Sequence, residues 1–81
     1  EDILKDHYVL LIFTLASGVA GITEDEIIKT IGTIAARKAN FPIEEITQET
    51  VQALGKIALP KIKRLVENEM IYLDEEGKYR T

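Results

Sequence analysis

The sequence has no cysteine. That excludes disulfide frameworks and thiolate metal sites, and it fits a reducing, intracellular setting. Histidine occurs once, as His7. A metal or catalytic role needs convergent partners, and the chain offers neither a second histidine nor a thiol. It also has no Gly-rich phosphate loop, no Ser/His/Asp arrangement and no isolated carboxylate pair in an apolar setting. Nothing therefore points to an enzyme, and no cofactor is expected. Long hydrophobic runs are missing too. The most apolar stretch, Tyr8 to Ala16, has nine residues, against the ~20 that span a bilayer. No basic segment precedes it, as one would in a signal peptide, so no membrane association is expected.

Positive charge is in short supply. Ten basic side chains face fourteen acidic ones, for a net charge of −4, which counts against strong binding to nucleic acid. The deficit is uneven. Residues 1–55 carry four basic and nine acidic side chains, and residues 56–81 carry six and five. The cations able to meet a phosphate backbone thus gather at the C-terminal end.

What is present fits one ordinary globular domain, with 46% apolar and 30% charged residues in 81 positions. The chain shows no repeat, low-complexity tract or linker. It opens on Glu1-Asp2-Ile3 without Met, so it reads as a single domain, residues 1–81, excised from a larger protein.

Periodicity predicts a first helix from about Asp2 to Ser17, with Leu4, Tyr8, Leu11 and Leu15 on its inward stripe. Val9, Leu10, Ile12 and Phe13 make its other faces apolar as well. A helix apolar all round is either central to its domain or covered by a partner, and Gly18 and Gly21 stop and turn it. Thr23 opens a second helix: Glu26 completes a capping box, and Ile22 and Ile27 form a hydrophobic staple. Ile27, Ile28, Ile31, Ile34 and Ala35 make its apolar stripe, and Pro42 ends it near Ala39. Thr47 starts a third helix, with Ile46 and Val51 at staple spacing and Val51 and Leu54 inward. Gly55 is read as a break before Pro60 opens the next helix; one kinked helix over 48–70 is the alternative. Ile62, Leu65 and Val66 are its buried stripe. Ile71-Tyr72-Leu73, a turn at Asp74 to Gly77, and Lys78-Tyr79-Arg80 read as a two-stranded hairpin.

This order of elements resembles a winged helix-turn-helix: mainly α with a small β-hairpin, three to four helices plus a C-terminal wing. The stretch PKIKRLVENEMIYLDEEGKYRT looks like the last helix and wing of such domains. It is similar to the C-terminal winged helices of minichromosome-maintenance helicases and of the middle subunit of replication protein A. LLIFTLASGVAGITEDEIIKTIG is similar to the opening of winged helices in the MAGE and kleisin-associated families. The chain departs from the pattern in an extra segment, about Asn40 to Gly55, which leaves open which helix is the recognition helix. The resemblance implies either a DNA reader or a protein-docking module within a replication, transcription or chromosome-maintenance assembly.

The candidate nucleic-acid contacts are Lys61, Arg64 and Asn68 on one face of the last helix, with Lys56 before them and Lys78 and Arg80 in the wing. They imply weak, salt-dependent binding to double-stranded DNA, and this reading is placed first. A solvated face of i,i+4 neighbours is the plain alternative. The wing tip Asp74-Glu75-Glu76 puts carboxylates where a DNA-binding wing usually has Lys or Arg, which favours a protein partner. Tyr72 and Tyr79 would face each other across a four-residue turn, either as a stacking platform or as a cross-strand pair that stabilises the hairpin. Glu24, Asp25 and Glu26 are explained by capping and the helix dipole. Val9, Ile12 and Phe13, opposite the expected stripe, are the candidate partner interface, with a homodimer as one form it would take.

Overall fold

A computed structural model describes residues 5–81. Its elements run α1 (His7–Ala16), β1 (Ile22–Thr23), α2 (Glu24–Lys38), a 3-10 turn (Ile43–Glu45), α3 (Gln48–Gly55), α4 (Ala58–Glu67), β2 (Tyr72–Leu73) and β3 (Lys78–Arg80). The fold is mainly helical, with a small antiparallel sheet in the order β1-β3-β2. It is compatible with a helical domain closed by a β-hairpin wing. The two residues before α2 form a strand that joins the hairpin: Ile22 pairs with Tyr79 and Thr23 with Lys78. The hairpin is thereby tied to the helical body.

Local chemistry places the helix starts. The Asp6 carboxylate accepts from the backbone N–H groups of Tyr8 at 2.9 Å and Val9 at 3.3 Å, so α1 begins at His7. The expected start at Asp2, like Leu4 of the expected stripe, lies outside the described residues. Thr23 and Glu26 form both halves of the capping box, each accepting from the other's backbone N–H at 3.2 Å. The Thr47 hydroxyl accepts from the Thr50 N–H at 3.2 Å. α2 ends with Asn40 in the left-handed region, φ 60°, and the Phe41 N–H donating to Ala36 O at 3.1 Å. The break at Gly55 is present, but α4 opens at Ala58, which puts Pro60 inside the first turn, where no backbone donor is needed.

The core joins Val9, Ile12 and Ala16 of α1, Ile22 of β1, Ile27 and Ile31 of α2, Ala58, Ile62 and Leu65 of α4, and Ile71. This corrects the reading of α1. Val9 and Ile12, expected on a partner interface, are fully buried in the chain's own core. Phe13, expected with them, is half-buried and packs on its edge, as do Tyr8, Leu11 and Leu15 of the expected stripe. An all-apolar helix carries no periodicity to choose a face. The polar His7 and Thr14, seven residues apart, share the outward side with Leu10 instead.

α3 adds no large side chain to the core. It lies against α2 through glycine. A Cβ on Gly32 would sit 1.9 Å from Val51 O, and one on Gly55 2.0 Å from Ile28 O. Two backbones in direct contact leave no room for a methyl group. Gly55 thus ends α3 in the position that lets the two helices touch.

The hairpin register also differs from expectation. The Asp74 N–H donates to Lys78 O at 2.8 Å, and the Asp74 carboxylate accepts from the Lys78 N–H at 2.9 Å. The connection is therefore the three residues Glu75 to Gly77, with Gly77 at φ +78°. Shortening the turn from four residues to three moves the partners by one. Tyr72 faces Arg80 and Leu73 faces Tyr79, so the expected tyrosine pair does not form. Ile71 is buried and Tyr79 packs on the core, whereas Tyr72 and Leu73 are exposed.

Candidate functional site

α4 and the wing carry most of the cations singled out above, and the structure sorts them into two groups. Lys61 turns toward α1, where its ammonium pairs with the Asp6 carboxylate and lies 5.9 Å from the centre of the Tyr8 ring. Lys38 approaches the same ring at 5.3 Å. Arg80 is bound to the Asp74 carboxylate, donates to Val19 O at 2.9 Å and stands 3.9 Å from Glu76. It laces the wing to the loop after α1. Asn68 donates its side-chain amide to Arg64 O at 2.8 Å, closing the end of its own helix. These three do structural work that residue type and spacing left hidden, because each partner lies elsewhere in the fold or on the backbone.

Lys56, Lys63 and Arg64 remain exposed and make no ion pair among the described residues. Lys78 is half-buried, close enough to Glu26 for its charge to favour that carboxylate's ionised form. The acidic wing tip is similarly divided. The Asp74 carboxylate is spent on the turn, accepting from the N–H groups of Glu76 and Lys78 at 2.9 Å each and pairing with Arg80. Glu75 and Glu76 face solvent.

The outward side of α4 is not a row of donors. Leu59 and Val66 are 38% and 40% exposed. With Ile62, Lys63, Glu67, Tyr79 and Glu24 they line a shallow groove of about 320 Å³ between α4, β3 and the start of α2. Tyr79 forms its back wall. Burial, and then the nearby Glu24 carboxylate, push its hydroxyl above the usual tyrosine range. Sequence reasoning counted Val66 as core and passed over Leu59. A signal was available: Leu59, Lys63 and Val66 recur at i, i+4 and i+7 on the flank of the Ile62/Leu65 stripe.

Four carboxyls in this architecture sit below their ordinary range: Asp6 through Lys61, Asp25 through Lys29, Glu26 through the Thr23 backbone N–H and hydroxyl, and Asp74 through Arg80. A depressed folded-state pKa stabilises the fold at pH values above the unfolded-state pKa, and that stability is lost as pH falls through the folded value. The melting temperature is therefore expected to hold near neutrality and to fall as the pH drops below about 4. The Asp6→Asn/Asp74→Asn variant should melt lower at pH 7 and lose less on acidification. Parallel melting curves for variant and wild type across that range would refute the assignment.

Among the described residues no helix is long and apolar enough to cross a membrane, and no group of three or more His, Asp or Glu is placed to hold a metal. Comparison with protein-family models, with curated proteins and with solved structures gives no match.

Proposed function

We propose that this chain is a winged-helix module that docks another protein through the groove between α4 and the wing, within a replication, transcription or chromosome-maintenance assembly. The winged-helix reading draws on the element order and on β1 joining the hairpin as β1-β3-β2. The observation that carries the docking reading is the exposed Leu59–Lys63–Val66 strip beside Tyr79. A helix that reads a DNA groove needs hydrogen-bond donors on its outward side. Exposed aliphatic side chains flanking an aromatic wall instead suit an apolar anchor from a partner. Lys61, Asn68 and Arg80, half of the candidate phosphate contacts, have intramolecular partners, and the net charge of −4 disfavours a polyanion.

DNA binding is the second reading, favoured by Lys56, Lys63 and Arg64, which are exposed and make no ion pair among the described residues. With those three and Lys78 as the available cations, its log–log salt slope would reach only about −3 to −4. Amide spectra of the chain titrated with a mixed-sequence duplex at low salt separate the two. Under the docking reading the amides of residues 56–70 and of the wing stay in place. Saturable, salt-sensitive shifts there, lost in a Lys56→Glu/Arg64→Glu variant, would replace it with the DNA reading.

A further inference from the structure

The segment from Asn40 to Gly55, extra to the winged-helix pattern, takes no part in the α4 groove. It builds a second one. Thr33 and Arg37 of α2, Asn40 and Phe41 at the end of that helix, and Ile43 and Ile46 around the 3-10 turn line a groove of about 520 Å³. Its frame is well determined by the chain. The left-handed Asn40 reverses the backbone, Phe41 hydrogen-bonds back to Ala36, and the glycine contact between α2 and α3 holds the far side of the segment.

Two features of this groove suit a partner. Ile43 is 87% exposed and Phe41 37% exposed, side by side with Ile46, although the chain has a core within reach of α2. Among the described residues Arg37 is the sole charged group in the lining. It is exposed and makes no ion pair among the described residues, even though Glu44 and Glu45 stand on the adjoining turn. An unpaired guanidinium offers a planar fork suited to a carboxylate.

We propose that this groove docks a short segment of another protein that presents an aliphatic side chain next to a single carboxylate. The aliphatic group covers Phe41, Ile43 and Ile46, and the carboxylate takes the Arg37 fork. Glu44 and Glu45, on the 3-10 turn that supplies Ile43, limit the partner to one carboxylate rather than an acidic run. They likewise oppose a phosphate backbone or an anionic lipid surface.

The site shares no residue with the α4 groove, so the two proposals fail separately. The probe is the capped peptide acetyl-Leu-Leu-Asp-Leu-amide, titrated into the isotope-labelled chain beside its Asp→Gln and Asp→Lys analogues. Saturable amide shifts are expected at Thr33, Arg37, Asn40, Phe41 and residues 43–46. The Asp peptide should bind about two- to five-fold tighter than the Gln analogue, the range of an exposed ion pair. Arg37→Gln should abolish that preference, and Ile43→Ser should abolish binding. Both side chains are exposed, so an unchanged melting temperature checks that the variants remain folded. Equal affinity for the three peptides, or no saturable shift in this groove, overturns the proposal. Shifts at Leu59, Val66 and Tyr79 alone overturn it while supporting the α4 docking reading. A mass that rises with concentration and falls back in Ile43→Ser would show a second copy of the chain in the groove and overturn it too.

Discussion

Gly32→Ala is expected to lower the melting temperature by more than 10 °C, or to prevent folding altogether. The new methyl carbon would lie 1.9 Å from the backbone oxygen of Val51 and 2.8 Å from its carbonyl carbon. A backbone neighbour cannot rotate aside as a side chain can, so α2 and α3 must separate along their whole contact. Overpacking of this kind costs roughly 3 kcal/mol or more. A domain of this size has about 4–12 kcal/mol in all, and each kcal/mol moves its melting temperature by about 4–8 °C. Gly55→Ala meets Ile28 O at 2.0 Å and should behave alike. Gly18→Ala is the control: its Cβ meets Leu15 O at an ordinary 3.4 Å, and its melting temperature should stay within a few degrees of wild type, since surface changes are usually worth about 0.5 kcal/mol or less. The claim that glycine sets the α2–α3 distance would not survive a Gly32→Ala protein that melts with the control.

The second large effect concerns α1. Ile12→Ala should cost about 2–5 kcal/mol, because it opens a cavity at a fully buried side chain of the core cluster. Leu10→Ala, two positions earlier on a side chain 45% exposed, should cost well under about 1 kcal/mol. Chemical denaturation of both variants gives the comparison directly. If α1 presented Val9 and Ile12 to a partner instead, Ile12→Ala would be as mild as Leu10→Ala in the isolated chain. Phe13→Ala should fall between them, since its ring packs on the core edge while staying half-exposed.

These two experiments bear on the parts of the molecule that were least legible before folding. α1 reads as helix in any window, yet with apolar residues on every side it gives periodicity nothing to work on: Tyr8, Leu11 and Leu15 lie at the core edge, while Val9, Ile12 and Ala16 fill its centre. Gly32 sits in a helix that its neighbours alone would support. Nothing local marks it as a contact point, because the atom it spares, Val51 O, is nineteen residues away. The wing tyrosines failed for a smaller reason: one residue of turn length flips a strand register, and Asp74 shortened the turn by bonding to Lys78.

The candidate cations divide for a third reason. Residue type and helical spacing correctly located Lys61, Asn68 and Arg80 on α4 and the wing, and Lys56, Arg64 and Lys78 around them. They could not say which already had partners. Asp6 is fifty-five residues from Lys61, and Val19 sixty-one from Arg80.

Helix starts at Thr23 and Thr47, the end of α2 before Pro42, the break at Gly55 and the closing hairpin all follow from residues within about five positions of one another, where hydrogen bonds to the nearest backbone decide the outcome. The mainly helical class with its small sheet was therefore readable in one dimension. The side of α1 that is buried, the glycine contact, the joining of β1 to the hairpin, and the division of cations into paired and open arise between segments far apart in the chain. Packing energy is summed over the whole assembly of elements, and a local window holds only one side of each such contact.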